Sequence, residues 1–343
     1  MRIVVLAGGI SAERDVSLSS GGMIYEALRE KGHQAILLDV WLGYEGEIDN
    51  IFEGEGERIC PRKAVGEEDP DLEAVRAMRR DGGKCFFGPN VLEICRQADC
   101  VFLALHGANG EDGRIQACFD LLGIPYTGAD FVGSCLAMDK GITKDIFRTW
   151  NIPAPYGIRL KKGEKEEEKI PYPCIVKTCC GGSSIGVRIA QDDEEYEKAK
   201  EEAYRYGNEV IVEAYIKGRE FSVGVMDGKA LPVIEMAPKK GFYDYRNKYQ
   251  AGTTVETCPA QISPEKSCQM QEIAEKVFQA LRLKSYARMD FVMSGEGEVF
   301  CLEANTLPGM TPTSLLPQEA AAVGMDFGTL CEKILQMAFV STV

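Results

Sequence analysis

"EVFCLEANTLPGM", residues 298–310, carries apolar residues up to a carboxylate and a carboxamide just before a Leu-Pro-Gly break. On a strand Glu303 and Asn305, two apart, share a face. The preceding "ARMDFVMSGEG" (287–297) reads as the other arm of a hairpin, because Ser-Gly-Glu-Gly is turn chemistry between two apolar runs. A two- or four-residue loop pairs Ser294 with Gly297, setting Asp290 opposite Cys301 and Arg288 opposite Glu303. Arg288, Asp290, Glu303 and Asn305 then crowd one face. A three-residue loop flips that parity unless a bulge restores it. Two carboxylates and an amide oxygen held close repel unless a cation sits among them. Hard oxygen ligands in small number suit Mg²⁺, which keeps several waters and takes further ligands from phosphate. A surface hairpin with scattered polar residues would carry the same letters.

The chain around this hairpin has 343 residues, enough for two or three domains. Its 45% hydrophobic and 27% charged residues are those of an ordinary soluble protein. Apolar runs such as "RIVVLA" and "CVFLAL" are strand-sized, short of a membrane span, and the start has no cleavable apolar segment. A cytoplasmic protein without a membrane partner is expected. The net charge of −14 argues against nucleic acid as partner, while an anionic substrate stays open if a few Lys and Arg converge. Thirteen cysteines, no CxxC pair and two histidines make zinc unexpected; many of the cysteines lie in apolar runs where a thiol packs as a small hydrophobe. The run "KKGEKEEEK" (161–169) reads as a solvated loop.

The first third alternates strand and helix: a strand at 2–7, a helix "MIYEALREKG" after "GGISAERDVSLSSGG", a strand "HQAILLDV", a strand "CVFLALHG" and a helix in "GEDGRIQACFDLLG". That pattern predicts a parallel sheet whose ligands lie at the carboxyl ends of strands. Residues 44–90 offer only a helix near "DPDLEAVRAMRR". "GSCLAMDKGITKDIFRTWNIPAP" (133–155) reads as one helix stopped by Asn151 and two prolines. The rest is mixed and antiparallel: strands "PCIVKT" and "GVRIA", a helix "EEYEKAKEEAYRYG", a strand "EVIVEAYIKG", a hairpin in "REFSVGVMDGKALPVIEM", a helix at 265–282, the hairpin above and a final helix.

Two further stretches bear chemistry. In "VKTCCGGSSIGV" (176–187) Lys177 ends a strand before a small-residue loop whose N–H and hydroxyl groups could approach phosphate. It lacks GKS or GKT and leads into a strand, so it is not a P-loop, and alone it reads equally as a flexible hairpin. "VIVEAYIKGREF" (210–221) joins a strand to a hinge with Glu213 and Glu220. Strand-end backbone could read adenine and a carboxylate ribose, though a solvated strand end would look the same.

In order, Lys140, Lys177 with its Gly-Ser loop, the Glu213 hinge, Arg288-x-Asp290 and Glu303-x-Asn305 resemble the ATP-grasp superfamily. "GGISAERDVSLSSG", "LHGANGEDG", "PYTG" with "MDK", "GSSIGV", "FYDYRNKY" and "EANTLPGMTPTSLLP" narrow the resemblance to the D-alanine–D-alanine ligases, over nearly the whole chain except 44–95 and 158–170. The resemblance implies an α/β and α+β fold: a Rossmann-like N-terminal domain (1–128), a central ATP-grasp lobe (129–213) and a C-terminal ATP-grasp lobe (214–343) with a mobile loop at 239–254. It implies that ATP phosphorylates one D-alanine and that a second D-alanine displaces phosphate, with two Mg²⁺ (or Mn²⁺) ions, in a homodimer.

By the same resemblance, Lys140 and Lys177 contact ATP phosphates, and Ser183 and Ser184 close the lid. Glu213, Ala214 and Ile216 border adenine, and Glu220 faces the ribose. Asp290, Glu303 and Asn305 hold the metal. Gly309 N–H and Arg288 stabilise the oxyanion. Glu13 pairs with the first D-alanine's ammonium, and His106 binds that substrate, where a lone histidine otherwise suggests a structural hydrogen bond. Tyr243, Lys248, Ser314 and Leu315 bind substrate, the last three at the second carboxylate. Tyr249 links Glu13 to Ser183, and "RNKYQ" favours D-alanine over D-lactate as acceptor. Thr178 stands where proline is usual after the lid lysine, and Ala214 where a larger residue is common. Rival readings are a D-serine or D-lactate ligase of the same fold, or a catalytically silent ATP-binding regulator. A dinucleotide oxidoreductase is excluded because "AGGISA" is not GxGxxG.

Overall fold

The computed structural model describes residues 1–53, 70–182, 186–238 and 253–340. They fall into two compact units. Unit 1 is Met1–Phe131, Lys284–Ala287 and Thr306–Val343, and unit 2 is Val132–Leu283 and Arg288–Asn305.

Unit 1 begins with β1 (Arg2–Ala7), α1 (Arg14–Glu30), β2 (Gln34–Asp39), α2 (Leu72–Ala77), α3 (Val91–Gln97), β3 (Cys100–Leu103) and α4 (Arg114–Leu122). Its sheet is parallel in the order β2-β1-β3, with Leu6 paired to Leu38 on one side and Leu103 on the other. Strands buried on both faces need continuous apolar runs, and Ile3–Ala7 and Val101–Leu103 are buried throughout. With β2 on one side of β1 and β3 on the other, the strand order reverses at β1, which makes the carboxyl ends of β1 and β3 a topological switch point.

Helix α1 starts at Arg14, earlier than the sequence pattern indicates. "SLSSGG" looks like loop composition, yet these residues are buried within the helix. A Cβ at Gly21 would stand 2.6 Å from that of Ala7, so small residues let the helix lie close on β1.

Unit 2 contains α5 (Phe131–Met138, shared at its first residue), α6 (Lys140–Thr149), β4 (Gly157–Lys161), β5 (Cys174–Thr178), β6 (Arg188–Ala190), α7 (Asp193–Ala203), β7 (Glu209–Ala214), β8 (Gly218–Met226), β9 (Lys229–Ala230), β10 (Ile234–Pro238), β11 (Thr254–Thr257), α8 (Pro264–Ala280), β12 (Tyr286–Ser294, shared at its first two residues) and β13 (Val299–Asn305). The single helix expected over 133–155 is two. Asp139 leaves helical geometry and caps α6 by accepting from the N–H groups of Gly141 and Ile142, and its backbone bridges to Cys180. This break puts Lys140 on the first turn of α6.

One sheet runs β4-β7-β5-β6 and is antiparallel, with α7 against its Cys174, Val176, Val210 and Val212. The acidic run is not simply solvated: Glu166 meets Tyr196 and Lys200 of α7, and Lys169 and Tyr172 meet Asp193. The other sheet follows β11-β10-β8-β12-β13, with β9 beside β8. Helix α8 opens with Ser263 accepting from Lys266 N–H and proline in the first turn.

The chain then returns to unit 1 through α9 (Leu315–Ala322) and α10 (Phe327–Val340). Residues after 305, placed by the sequence with the third segment, group with the first because α10 packs on α1 and β3. Leu330, Ile334 and Leu335 are buried there. The single final helix expected is thus a pair, separated by Gly324 at φ +80°. Among the described residues no disulfide joins the cysteines, and no helix is long and apolar enough to cross a membrane.

Candidate active site

The β12–β13 hairpin turns through three residues: Ser294 N–H donates to Glu298 O, and Met293 pairs with Val299. That loop alone would set Leu302 opposite Asp290 and turn Glu303 away. A bulge between Phe291↔Cys301 and Asp290↔Glu303 restores the parity. Asp290 therefore lies opposite Glu303 and Arg288 opposite Asn305, not the Cys301 and Glu303 partners of the simple loop. The extra residue, Leu302, lines the same cavity as Glu303.

Polar groups converge on this face. Arg288 forks onto Asp290 with two bonds of 2.9 Å, Ser222 Oγ donates to Asp290 at 3.0 Å, and Asn305 Nδ2 donates to Asp290 at 3.0 Å. Lys140 Nζ stands 3.2 Å from Glu303 and donates to Gly181 O at 2.7 Å. Two carboxylates, each met by a cationic side chain, plus a carboxamide form a hard-oxygen donor set of the kind Mg²⁺ takes. Among the described residues no group of three or more His, Cys, Asp or Glu forms a closed metal cage. Such a donor set holds a divalent ion only with water and phosphate oxygens completing its shell.

The cavity, of about 170 Å³, lies between the two sheets of unit 2. Ile175, Val187 and Ile189 form one apolar wall, and Met236, Val292 and Leu302 the other. Along its edge the chain leaves β7 through Ala214, Tyr215 and Ile216, and Glu220 stands at the start of β8. A slot with two apolar walls and exposed strand-end backbone suits a flat heterocycle.

Below the slot lies a buried ionic group the sequence reading did not contain. Glu213, 1% exposed, accepts from Lys177 on Oε1 and forms an ion pair with Lys144, whose Nζ stands 2.8 Å from Oε2. Burial alone would raise the Glu213 carboxyl, but Lys144 and Lys177 outweigh it and hold it down at about 2. Burial pulls the Lys144 ammonium below its usual range despite Glu213. The signal for Lys144 was its place four residues after Lys140, one turn along the same helix face.

In unit 1 the switch-point loops hold the other candidates. Glu13 is the N-cap residue of α1 and buried, and Ser11 Oγ donates to His106 O at 2.8 Å. Gly107, at φ +71°, lies so close that a Cβ there would stand 3.1 Å from Glu13 Oε2. Glu13 and the His106–Gly107 turn are thus neighbours. Glu111, given no role from sequence, accepts from Gly107 N–H at 2.7 Å and Leu307 N–H at 3.4 Å. It ties the loop after β3 to the Leu-Pro-Gly break. Beyond that break Ser314 precedes Leu315 at the start of α9. Its Oγ accepts from Thr311 N–H at 3.1 Å and would meet a Cβ at Gly309 at 3.0 Å. Ser183, Ser184, Tyr243, Lys248 and Tyr249 lie outside the described residues.

The family model "D-ala D-ala ligase N-terminus" matches residues 2–129, and "D-ala D-ala ligase C-terminus" matches 141–336. A D-alanine–D-alanine ligase of Pediococcus pentosaceus is 44% identical over 340 residues, 98% of this chain and 97% of its own. That of Lacticaseibacillus casei is 41% identical over 98% of this chain and 95% of its own. The crystal structure of the Bacillus anthracis ligase complexed with ATP is similar with a TM-score of 0.76 at 28% identity, covering 99% of this chain and 98% of that one.

Proposed function

The chain belongs to the D-alanine–D-alanine ligase family, and on that premise we propose that it joins two D-alanine molecules at the expense of ATP for peptidoglycan precursor synthesis. The observation that carries the reading is the cavity of unit 2, where Lys140, Lys177, Asp290 and Glu303 line the same space as two apolar walls.

The first D-alanine's carboxylate oxygen attacks the terminal phosphorus of ATP. ADP leaves and a D-alanyl phosphate forms. A carboxylate alone is a poor electrophile because its oxide is a poor leaving group, and phosphate is a better one. The second D-alanine's neutral amine then adds to the acyl carbon. Loss of phosphate and of the amine proton gives the dipeptide.

Each step places demands on this chain. The slot takes adenine between Ile175, Val187, Ile189 and Met236, Val292, Leu302, with Ala214–Ile216 backbone at its edge and Glu220 for the ribose. Lys140 and Lys177 meet phosphates, with Ser183 and Ser184 closing over them. Lys140 pairs with Glu303, Lys144 and Lys177 share Glu213, and Arg288 pairs with Asp290, while Glu220 adds a fourth carboxylate to the four cations, so a polyphosphate would bring unmatched negative charge. Asp290, Glu303 and Asn305 would hold Mg²⁺, whose chemistry is to neutralise that charge and polarise the phosphoryl group. Glu13 and His106 take the first D-alanine, and Lys248, Ser314 and Leu315 the second one's carboxylate. Arg288 and Gly309 N–H stabilise the oxyanion of the addition step. Tyr249 and Tyr243 close the site against water. The division into an N-terminal domain and two ATP-grasp lobes, and assembly as a homodimer, belong to the same proposal.

The purified chain supplied with ATP, Mg²⁺ and D-alanine alone should release ADP and form D-alanyl-D-alanine, detected by mass. Adding D-lactate or D-serine should not divert the product. No ADP release with D-alanine alone overturns the proposal, and a mixed product under competition moves the chain to the D-lactate or D-serine ligases.

A further inference from the structure

A lysine meant to attract phosphate is weakened when its ammonium is tied to a buried carboxylate, and Lys177 is so tied. Its partner Glu213 is fully enclosed, on the central strand pair where β7 meets both β4 and β5. In a neutral Lys177–Glu213 pair the carboxylate would cancel most of the positive field reaching the cavity. Lys144 changes this sum. It reaches the second carboxylate oxygen from α6, and its side chain is 12% exposed. Lys177 lines the nucleotide cavity and Lys144 does not; Lys144 instead lines a separate cavity with Phe147, Ile152 and Ile158.

We propose that Lys144 is a positioning residue whose charge satisfies Glu213, so that Lys177 presents a net positive charge to the nucleotide's phosphates. The inference rests on reading the unit 2 cavity as the nucleotide site and adds a residue that touches no substrate. The three side chains carry a net charge of +1 with Lys144 and none without it. Lys144 keeps the Glu213 carboxylate from discharging Lys177. Lys144 is not among the residues that line the nucleotide cavity, so a neutral replacement would leave the apolar slot unchanged.

The test compares ADP with adenosine, which has the same base and sugar but no phosphate. By titration calorimetry without divalent metal, Lys144→Met should weaken ADP binding about tenfold or more. Adenosine binding should change by less than about threefold. Lys144→Met combined with Glu213→Gln removes one charge of each sign and restores the sum, so ADP affinity should return to within about threefold of wild type. A merely structural Lys144 predicts equal loss for ADP and adenosine, or no recovery in the double variant, and either result overturns the proposal. Should Lys144→Met fail to fold, the double variant decides alone: near-wild-type ADP affinity supports the proposal and a large loss refutes it. A wild-type chain that binds neither ligand would instead refute the nucleotide reading itself.

Discussion

Asp290 and Glu303 face each other across the bulge, but the structure asks different things of them, and Asp290→Asn separates those demands. Asp290 accepts two bonds from Arg288 and one each from Ser222 and Asn305, with its side chain 10% exposed and that of Arg288 12% exposed. A bond to a charged group contributes about 1.5–3 kcal/mol against about 0.5–1.5 for a neutral one, so removing the charge weakens each Arg288 bond by about 1 kcal/mol. The guanidinium is also left without its counter-charge, and breaking a fully buried pair costs about 3–5 kcal/mol. Partial access to water reduces that limit, and we expect unit 2 to lose about 2–4 kcal/mol with no ligand present. The chain's two tryptophans allow a direct reading, since Trp41 lies in unit 1 and Trp150 in unit 2. In a Trp41→Phe background, urea unfolding followed by Trp150 fluorescence should shift to a clearly lower midpoint for Asp290→Asn. A loss below about 1 kcal/mol, equal to that of Glu303→Gln, would refute the assignment of Arg288–Asp290 as a structural pair.

Glu303→Gln should leave stability within about 1 kcal/mol, because its Lys140 partner is a partly exposed contact, yet cut turnover at least about 100-fold through the lost charge on the metal. Phosphate release together with the unfolding midpoint checks both halves. Glu213 also gives a pH signature. Its carboxyl is held at about 2 against an ordinary 4.5, so its contribution is complete above 4.5 and lost as pH falls toward 2. Denaturation across that window should show the wild-type advantage over Glu213→Gln shrinking with acid. Glu111→Gln replaces a charged acceptor with a neutral one at Gly107 N–H and Leu307 N–H, and should raise KM for D-alanine several-fold while ADP affinity stays unchanged. Tyr249→Phe should raise ATP hydrolysis uncoupled from dipeptide formation, read as the ratio of ADP to product.

Much of the site was legible because its chemistry is written in residues two apart on strands. Alternation puts Arg288 with Asp290 and Glu303 with Asn305, and the bulge brings the two pairs onto one face. The register was not legible, since Ser-Gly-Glu-Gly accepts several loop lengths and nothing in "VFCLEAN" announces a bulge at Leu302. The early start of α1 was hidden by small polar residues, which signal loops locally but here allow close helix-on-sheet contact. The break at Asp139 was hidden because an apolar pattern runs through it, and only the capping geometry reveals two helices. Lys144 and Glu111 act through partners distant in sequence, Glu213 and Leu307, which single-sequence periodicity does not report. The parallel sheet and the antiparallel pairs β5–β6 and β12–β13 followed from alternation and turn chemistry, whereas β4 and β11 and the order of the strands within the two sheets did not.

The closing helix pair has a consequence for biosynthesis. Unit 1 is built from both ends of the sequence, with α10 against α1 and β3, whereas unit 2 is continuous apart from its last hairpin. In order of synthesis, unit 2 is therefore complete while unit 1 still waits for residues 306–340. Until they arrive, the apolar flank of α1 and β3 stays open to chaperones. A stop codon near position 306 should spare the cavity of unit 2 and leave an aggregation-prone protein with unit 1 incomplete.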